Sequence, residues 1–535
     1  MDTQTVNRRR WVILSVLIVG LLAIVIDNTV LNVALKTIAE PRGGLGASQS
    51  QLEWAINSYT LVFAGLLFTF GVLGDRIGRK RMLMIGLALF GVASLLSAYS
   101  RTPEQLIFAR AAMGLGGAAV MPQTLSIISN VFEPAERPRA IGLWAMAVGL
   151  GIATGPVLGG ILLDHFWWGS VFLINVPVTA IGATLAFMLV PESRNAEAGG
   201  IDYLGVLMSI AGLVTLVYGI VQGGDIGSWI HPAVLGPIAG GLVVLVVFGW
   251  YETRIAHPSL DVRLFRDHRL SASVAATALV FFGMGGLLFF ISFYLQNVRG
   301  YTPLEAGLLT VPFAAGQLLA SPRSASMVRR YGAKAVGATG LFVMALALAG
   351  YATLGTATPI WVLGLIFAVQ GASIGVVMPA ATAAVMDVLP RERAGAGSAL
   401  TNIARQVAVA LSVAILGSIL AEFYRRSLSP SLTHLPAAAR ATASSSITAT
   451  QAVAQQLGTA GRSLLVPAND AFVHAMHGTT LVAALMAAAG GLVVVRWMPG
   501  RPRPAATAER SQDRAYEDAL AIMEADMLKT AEREV

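Results

Sequence analysis

The strongest constraint on this chain is a series of fourteen apolar runs separated by polar connections. About 20 apolar residues suffice for a helix to cross the hydrocarbon core of a bilayer. Inside lipid, backbone N–H and C=O groups find no water to bond, so each run must be helical. The sequence therefore predicts an all-α polytopic membrane protein with fourteen transmembrane helices. The predicted runs are residues 11–35, 52–74, 82–100, 103–125, 140–163, 171–190, 203–222, 232–251, 270–297, 303–322, 335–354, 359–385, 395–421 and 478–497.

Composition supports a membrane protein and excludes several kinds of site. Hydrophobic residues make up 55% of the chain and charged residues 12%, whereas a soluble domain is about a quarter charged. There is no cysteine, which excludes disulfides and thiolate metal sites, and the seven histidines form no dense cluster. The net charge of +8 comes from basic residues at the ends of runs, which favours a topology signal over nucleic-acid binding. We therefore predict no metal, no cofactor and no nucleic-acid partner.

The basic residues alternate along the connections. One set of connections is rich in arginine and lysine, at residues 8–10, 76–81, 323–334 and 496–503, whereas the other set holds isolated basic residues such as Lys36. Cytoplasmic loops carry the excess of basic residues in membrane proteins. The pattern therefore predicts an even number of spans with the N- and C-termini in the cytoplasm. We expect a multi-pass monomer in the cell membrane, surrounded by lipid.

The two halves of the chain echo each other weakly. Residues 321–334 stand where the second half would repeat residues 71–81, and they keep two arginines and a glycine without an aspartate. A transporter built from repeats binds its substrate near the midplane between them. We predict an N-terminal six-helix bundle at 1–195, two additional central helices at 196–255, a C-terminal six-helix bundle at 256–500 with an outer loop at 422–476, and a cytoplasmic tail at 501–535.

Two residues of opposite charge lie deep inside the first and fourth predicted spans. Asp27 lies about 12 Å from the outer end of the first helix and Arg110 about 10 Å from the outer end of the fourth, at about 1.5 Å per residue. Ionisable groups within a span are costly, and they mark ion or substrate pathways by default. The similar depth predicts that the two side chains pair or share a water-filled cavity. A purely structural ion pair is the alternative.

Glu53 is a second acid, at the outer rim of the second predicted span. Its position near the rim predicts that it is better hydrated than Asp27. We therefore take it as the second candidate for proton binding, and a plain interfacial charge explains it equally well.

A short loop joins the second and third spans, and it reads Gly71-Val-Leu-Gly74-Asp75-Arg76-Ile-Gly78-Arg79-Lys80-Arg81. Its glycines allow a tight turn. Its basic residues mark a cytoplasmic end, and on their own they predict only topology. The single acid of the loop, Asp75, stands at the membrane edge among the arginines.

The fifth span is rich in glycine and reads Gly149-Leu-Gly151-Ile-Ala-Thr-Gly155-Pro156-Val-Leu-Gly159-Gly160. Gly151, Gly155 and Gly159 recur every four residues, so they share one helix face and permit the close approach of another helix. Pro156 removes one backbone hydrogen bond and predicts a kink. Packing through small residues is common in membranes, so the spacing alone predicts only a close helix contact.

In this order and spacing, the motifs resemble those of the major facilitator superfamily of secondary transporters, and in particular its fourteen-helix drug:proton antiporter branch. The matching segments are the loop at 71–81, Asp27 with Thr29 and Asn32, Arg110 with Gly114, Gly155-Pro156-Val-Leu-Gly159-Gly160, residues 165–177, Phe293-Tyr294-Leu295-Gln296, and residues 395–406. Gly169 and Ser170 stand where that branch usually has an arginine between two aromatic residues. No role of that arginine therefore carries over to this chain.

The resemblance implies roles for the matching residues. Asp27 and Arg110 would couple transport to protons. The cytoplasmic gate would comprise Gly71, Asp75, Arg76, Gly78 and Arg79. Within it, Asp75 would act as a latch that pairs with Arg79 and with the start of a helix near Ala394 and Gly395. The antiporter motif, which is characteristic of exporters, would comprise Gly151, Gly155, Pro156, Gly159 and Gly160.

A substrate cavity is expected between the two halves. Its candidate lining residues are Asn32, Trp54, Asn57, Phe289, Phe293, Tyr294, Gln296, Asn402 and Arg405. The aromatic residues of the ninth span circle the helix, so some of them serve packing or face lipid, and a subset suits an apolar cavity for bulky ligands. For Arg405, a role in helix packing is as good an explanation as a substrate contact.

Together with the resemblance, these features predict a proton-coupled antiporter that exports hydrophobic, often cationic, drugs or toxic compounds by alternating access. A dedicated exporter of one endogenous metabolite, antibiotic or lipid fits the same fold. A membrane enzyme or a passive channel is the third possibility. The sequence disfavours an enzyme, because Gly114-Leu-Gly116-Gly117 lacks the following Lys-Ser/Thr of a phosphate loop and no cluster of catalytic groups occurs.

Overall fold

The computed structural model describes residues 3–133, 136–194, 200, 202–255, 258, 260–388 and 394–498. These residues are helical almost throughout, and no strand occurs among them. Fourteen of the described helices are long and apolar enough to cross a membrane, which confirms the predicted number. We number them span 1 to span 14; in order they cover Arg9–Ala39, Gln49–Ile77, Arg79–Ala98, Pro103–Val131, Arg139–His165, Ser170–Leu189, Tyr203–Ile226, Pro232–Glu252, His268–Val298, Pro303–Tyr331, Ala333–Thr353, Ile360–Val385, Leu400–Leu432 and Ala460–Trp497. The predicted tail at 501–535 lies outside the described residues.

Several helices extend beyond the apolar runs that predict them. The first helix covers Thr3–Ala39, whereas the apolar run covers 11–35. Other helices begin at capping residues: the Ser48 side chain accepts a hydrogen bond from the Gln51 backbone N–H at the start of span 2. Hydropathy marks only the part of a helix that lies in hydrocarbon, so it underestimates the helix length.

Spans 1–6 pack on one another, and so do spans 9–14; we call these sets the first group and the second group. In the first group, span 1 packs against spans 5 and 6, and span 4 packs against spans 2 and 3. In the second group, span 9 packs against spans 12, 13 and 14, and span 10 packs against span 12. The two groups meet where span 2 contacts span 13 and where span 5 contacts span 10. The domain boundaries at 195, 255 and 500 stay a prediction.

The two central spans, 7 and 8, pack on each other, and span 7 lies in the seam between spans 2 and 13. Leu61 of span 2, Val217 of span 7 and Ala410 of span 13 belong to one buried cluster. The Ser418 hydroxyl donates to the backbone carbonyl oxygen of Ile220 at 2.9 Å, which ties span 13 to span 7. Span 7 therefore contacts both groups at their meeting line.

The loop predicted at 422–476 is partly helical. The helix of span 13 continues to Leu428, because Glu422 forms ion pairs with two arginines one turn later on the same helix. The connection to the last helix contains two short helices, Ala437–Ala443 and Ile447–Gln456. The last helix begins at Leu465, so the irregular part of the predicted loop is shorter at both ends than the sequence suggests.

The connections define two faces of the protein. We call the face with the loop at 75–81 the basic face. We call the opposite face, with residues 40–48 and 429–464, the far face. Because the number of spans is even, the first and last described helices both reach the basic face.

Candidate functional site

A buried ion pair joins span 1 to span 4. Arg110 Nη1 donates to Asp27 Oδ2, and both side chains are 1% exposed. Asn175 Nδ2 of span 6 donates to the other carboxylate oxygen, Oδ1, at 3.0 Å. The structure thus brings together the two charges that the sequence places at similar depth, and it adds an amide as the third member.

Further contacts fix the guanidinium of Arg110. Its Nε donates to the backbone carbonyl oxygen of Ala55 at 3.1 Å. Its central carbon lies 4.4 Å from the ring centroid of Tyr59 and 5.8 Å from that of Phe172. Buried charge is costly unless it is paired, hydrogen-bonded or placed over an aromatic face, and Arg110 has all three kinds of partner.

Sequence reasoning missed Asn175 and Tyr59. The available signal for Asn175 was a polar residue inside the apolar run 171–190. Its partner depends on the packing of span 6 against span 1, which no local pattern reveals. Tyr59 is completely buried, and its hydroxyl accepts a hydrogen bond from Asn28 Nδ2 at 3.0 Å.

A cavity of about 130 Å³ lies between the two groups, beside the ion pair. Its lining comes from spans 1, 2, 4, 5, 9 and 13 and is mostly apolar. The polar lining residues are Asn28, Thr29, Asn32, Thr60, Arg110, Arg405 and Gln406. Arg110 lines this cavity and Asp27 does not, so the carboxylate lies behind the guanidinium. The mostly apolar lining suits a hydrophobic ligand.

Arg405 of span 13 is the second cation on the cavity wall. Its Nη2 donates to Asn402 Oδ1 at 2.7 Å, and its central carbon lies 5.3 Å from the ring centroid of Phe281. No carboxylate of the described residues lies within ion-pair distance of it. Its charge therefore adds to that of the ion pair, and the three groups carry a net positive charge while Asp27 is ionised.

Several other predicted cavity residues lie away from this cavity. Trp54 packs against the buried cluster between spans 2, 7 and 13, and Asn57 is completely buried. Phe289 packs edge-on against Phe293 with 5.7 Å between ring centroids. The Tyr294 hydroxyl donates to a backbone carbonyl oxygen at the far face, at 2.7 Å. Of the predicted set, the structure places Asn32 and Arg405 on the cavity wall, because position along a helix does not reveal which neighbour covers a residue.

The two groups touch at the far face. Gln296 Nε2 of span 9 donates to the backbone carbonyl oxygen of Val33 in span 1 at 2.9 Å. Lys36 Nζ donates to the backbone carbonyl oxygen of Gln296 at 3.3 Å. These contacts join the first and second groups and close the far-face end of the space between them.

The glycines of span 5 serve two interfaces. Those that face span 1 are Gly151, Gly155 and Gly159. A Cβ on Gly155 would lie 1.8 Å from Thr29 Oγ1, so the two backbones approach as closely as the spacing predicts. Gly160 faces span 10, where an added Cβ would lie 2.5 Å from Leu304 Cα. The motif therefore holds span 5 both to its own group and to the second group.

A tight turn at the basic face links spans 2 and 3. Gly78 alone separates the two helices, and its φ of 118° lies in the region that favours glycine. Asp75 Oδ1 accepts from Arg79 Nε at 2.7 Å across this turn. Residues 389–393 and the side chains at 394–399 lie outside the described part of the chain. The second half of the proposed latch, the contact of Asp75 with that helix start, therefore stays a prediction.

Glu53 lies in a buried site like that of Asp27, and the prediction that it is the better hydrated of the two is wrong. Its side chain is 2% exposed, because Gly417 of span 13 lies directly against it. Gln49 Nε2 donates to Glu53 Oε1 at 3.3 Å and to the Gly417 carbonyl oxygen at 2.9 Å. Glu53 Oε2 has no hydrogen-bond partner among the described residues. The sequence of span 2 alone does not show that span 13 covers it.

Comparisons with known proteins agree with this architecture. The chain is 35% identical to "Multidrug efflux pump LfrA" of Mycolicibacterium smegmatis, over 92% of this chain and 97% of that protein. It is 33% identical to "Methyl viologen resistance protein SmvA" of Salmonella typhimurium, over 87% of this chain and 93% of that protein. Both relatives are thus matched over nearly their whole length.

Structural and family comparisons point the same way. A bacterial homologue of the human lysosomal transporter Spinster superposes with a TM-score of 0.64 at 18% identity, covering 92% of this chain and 99% of that one. At this identity the likeness shows the fold alone. The family model described as "Major Facilitator Superfamily" matches residues 16–413. The chain therefore belongs to the Major Facilitator Superfamily, in its fourteen-helix drug efflux branch.

Proposed function

We propose that this transporter exports hydrophobic, drug-like compounds from the cytoplasm in exchange for protons, with the proton gradient as its energy source. Its relatives are drug efflux and resistance proteins, which supports this substrate class. The observation that carries the coupling is the position of Asp27, a buried carboxylate separated from the cavity by Arg110. Exchange requires a group that holds a proton in one part of the cycle and loses it in another, and Asp27 is suited to that task.

Two opposing effects act on the charge of Asp27. Burial in a low-dielectric site disfavours the carboxylate, whereas Arg110 and the amide of Asn175 favour it. The partners come from spans 4 and 6, so a small movement of span 1 changes both favourable contacts at once. Such a movement during the transport cycle would change the proton affinity of Asp27.

We also propose that the basic face is cytoplasmic. The alternating pattern of basic residues supports this orientation. With the far face closed, substrate would then enter the cavity from the cytoplasm. A tag at residue 440 should be accessible only from outside the cell, and a tag at residue 520 only from inside. Labelling of residue 440 from the inside would contradict the orientation.

Proton release by purified protein tests the coupling. Adding a substrate to wild-type protein in weakly buffered detergent solution should release protons, and Asp27→Asn should abolish both this release and active export. Asp164→Asn is a matched control, because Asp164 is an exposed acid at the far-face end of span 5. Retained binding of a neutral hydrophobic ligand would show that the Asp27 variant is folded. Undiminished release from that variant would place the proton site at another acid, with Glu53 next to examine.

The breadth of substrates is a separate part of the proposal. The mostly apolar wall of the cavity supports broad recognition, because apolar contact imposes few directional requirements. A panel of chemically unrelated dyes and antibiotics tests this point in cells that lack other efflux pumps. Export of many members supports a multidrug transporter, whereas export of one compound identifies a dedicated exporter on the same fold.

A further inference from the structure

We propose that Glu53 binds a proton from the far-face solution whenever the far face closes, and that this proton gates the transporter without crossing the membrane. The proposal rests on the alternating access described above. It assigns a second proton site, distinct from Asp27, to the contact between spans 2 and 13. Three observations carry it: the burial of an uncompensated carboxyl group, the charges around it and a cavity on its far-face side.

The site of Glu53 offers almost nothing that stabilises a negative charge. One carboxyl oxygen accepts a single neutral hydrogen bond, from Gln49, and the other has no hydrogen-bond partner among the described residues. The backbone of Gly417 lies so close that an added Cβ would come within 2.3 Å of Glu53 Oε1. A buried carboxylate with these surroundings is far more costly than the neutral acid.

The charged residues nearby do not compensate Glu53. On span 7, Asp225 is near enough to repel a negative charge at Glu53. On span 13, Arg425 Nη1 is engaged by Glu422 at 3.1 Å, and its Nη2 by the Gly224 carbonyl oxygen. No ion pair of Glu53 occurs in the part of the chain that the structure describes.

Span 4 packs on the other side of span 2 and holds its buried cation, Arg110, against Asp27 and the Ala55 carbonyl oxygen. Its charged group at this level is Glu104, which is exposed and accepts a hydrogen bond from Gln51 at 2.7 Å. The helices around Glu53 therefore present two acids, Asp225 and Glu104, together with the engaged pair of Glu422 and Arg425. The closed far face consequently favours the protonated form of Glu53.

Opening of the far face reverses this preference. When span 13 moves away from span 2, the carboxyl group meets water and ionises, as a hydrated glutamate does near neutral pH. Closing therefore takes up a proton and opening releases one. By linkage, the ratio of closed to open molecules rises as the pH falls, by at most about tenfold per pH unit for one proton.

The route of this proton leads to the far face. A small cavity, with room for about one water molecule, reaches Gln49, the residue that donates to Glu53, and its wall includes Ala47, Tyr424 and Ile447. Ala47 and Ile447 belong to the connections of the far face. A proton that enters and leaves by this route does no transport work. It makes closure of the far face depend on the pH on that side alone.

Distance measurements between the two groups test the proposal. The chain has no cysteine, so Arg42→Cys and Ser427→Cys place two labels, one in each group, at exposed far-face positions. In an Asp27→Asn background, pulsed EPR should show the closed distance gaining population as the pH falls from about 8 to about 5, by at most about tenfold per unit. Glu53→Gln should be closed at every pH.

Two further variants make the result decisive. Glu53→Met, a second neutral replacement, should also remain closed without pH dependence. Glu104→Gln removes an exposed acid of the same face and should keep the pH dependence of the parent. The proposal is overturned if Glu53→Gln and Glu53→Met keep the parent's pH dependence, or if both remain open at every pH.

A sided measurement separates gating from transport. In proteoliposomes of one orientation, energy transfer between dyes at residues 42 and 427 should respond to pH on the far-face side and not to pH on the basic-face side. An equal response to both sides would mean that the Glu53 proton crosses the membrane, which refutes the gating role. Failure of the proton-release test at Asp27 would overturn the coupling proposal alone, because the labelled protein already lacks that acid.

Discussion

Two glycines hold the far face closed, and replacing them should bias the protein toward the open form. Gly160 of span 5 and Gly307 of span 10 lie in backbone contact across the two groups. A Cβ on Gly160 would lie 2.5 Å from Leu304 Cα, and one on Gly307 would lie 2.3 Å from the Pro156 carbonyl oxygen. Real Cβ contacts essentially never fall below 3.0 Å, and backbone atoms cannot rotate away as a side chain does.

The size of the effect follows from this overlap. Spans 5 and 10 must separate by about 1 Å before an alanine at either position reaches ordinary van der Waals distance. Overpacking of this kind costs about 1–3 kcal/mol. Only the closed form bears the cost, because the contact exists only there. Each substitution should therefore shift the closed-to-open ratio by about 5- to 150-fold toward open.

Pulsed EPR between labels at residues 42 and 427 measures this ratio directly. Gly160→Ala and Gly307→Ala should both increase the population of long distances. Gly149→Ala is the matched control, because it also exchanges glycine for alanine in span 5, and its added Cβ would meet Leu318 Cδ2 at an ordinary 3.8 Å. Distance distributions for Gly160→Ala that match those of Gly149→Ala would refute the view that these glycines form the closure.

Two further substitutions address the basic face and the packing inside the first group. Asp75→Asn removes the charged acceptor of the 2.7 Å ion pair with Arg79. The transport rate in membrane vesicles should fall, while immunoblotting should show a normal amount of protein in the membrane. Full transport by this variant would argue against the latch. Gly155→Leu should abolish export. The Cβ of the new leucine alone would lie 1.8 Å from Thr29 Oγ1, so spans 1 and 5 would be forced apart. Normal export by this variant would contradict a close interface.

The number of spans could be predicted from the sequence because a single segment that crosses lipid has few alternatives to a helix. Every apolar run must satisfy its backbone internally, so each run becomes a helix whatever its neighbours are. The depths of Asp27 and Arg110 followed from the constant rise of a helix, and the structure pairs the two residues. The face of span 5 toward span 1 followed from the spacing of its glycines.

The remaining features depend on which helices meet, and no local pattern contains that information. Asn175 reaches Asp27 only because span 6 packs on span 1. The sequence of span 2 alone places Glu53 at a rim, yet Gly417 of span 13 covers it. Phe289 and Tyr294 stand among aromatic residues that suit a cavity, but Phe289 is completely buried and Tyr294 is bonded at the far face. Long-range packing, not residue type, decided these outcomes.

The position of Arg110 changes how a substrate and a proton would compete. Direct competition would require the substrate to reach the carboxylate of Asp27, but that carboxylate lies behind Arg110, which lines the cavity. Protonation of Asp27 leaves the charge of Arg110 uncompensated, and Arg405 already adds a second positive charge to the cavity wall. The protonated state should therefore repel a bound cation, although the cation never touches the acid.

Binding of two matched dyes tests this indirect competition. Protonation removes the attraction of the Asp27 carboxylate for a bound cation, which at about 11 Å and an effective dielectric constant of about 20 is worth about 1.5 kcal/mol, or about tenfold in affinity. Acidification should weaken binding of pyrenebutyl-trimethylammonium by about that factor and leave 1-pyrenebutanol, which has the same apolar body, nearly unchanged. Asp27→Asn should lower the affinity for the cation and remove the difference in pH dependence between the two dyes. Because gating at Glu53 affects both dyes alike, an equal pH dependence for the two would refute competition through the charge of Arg110.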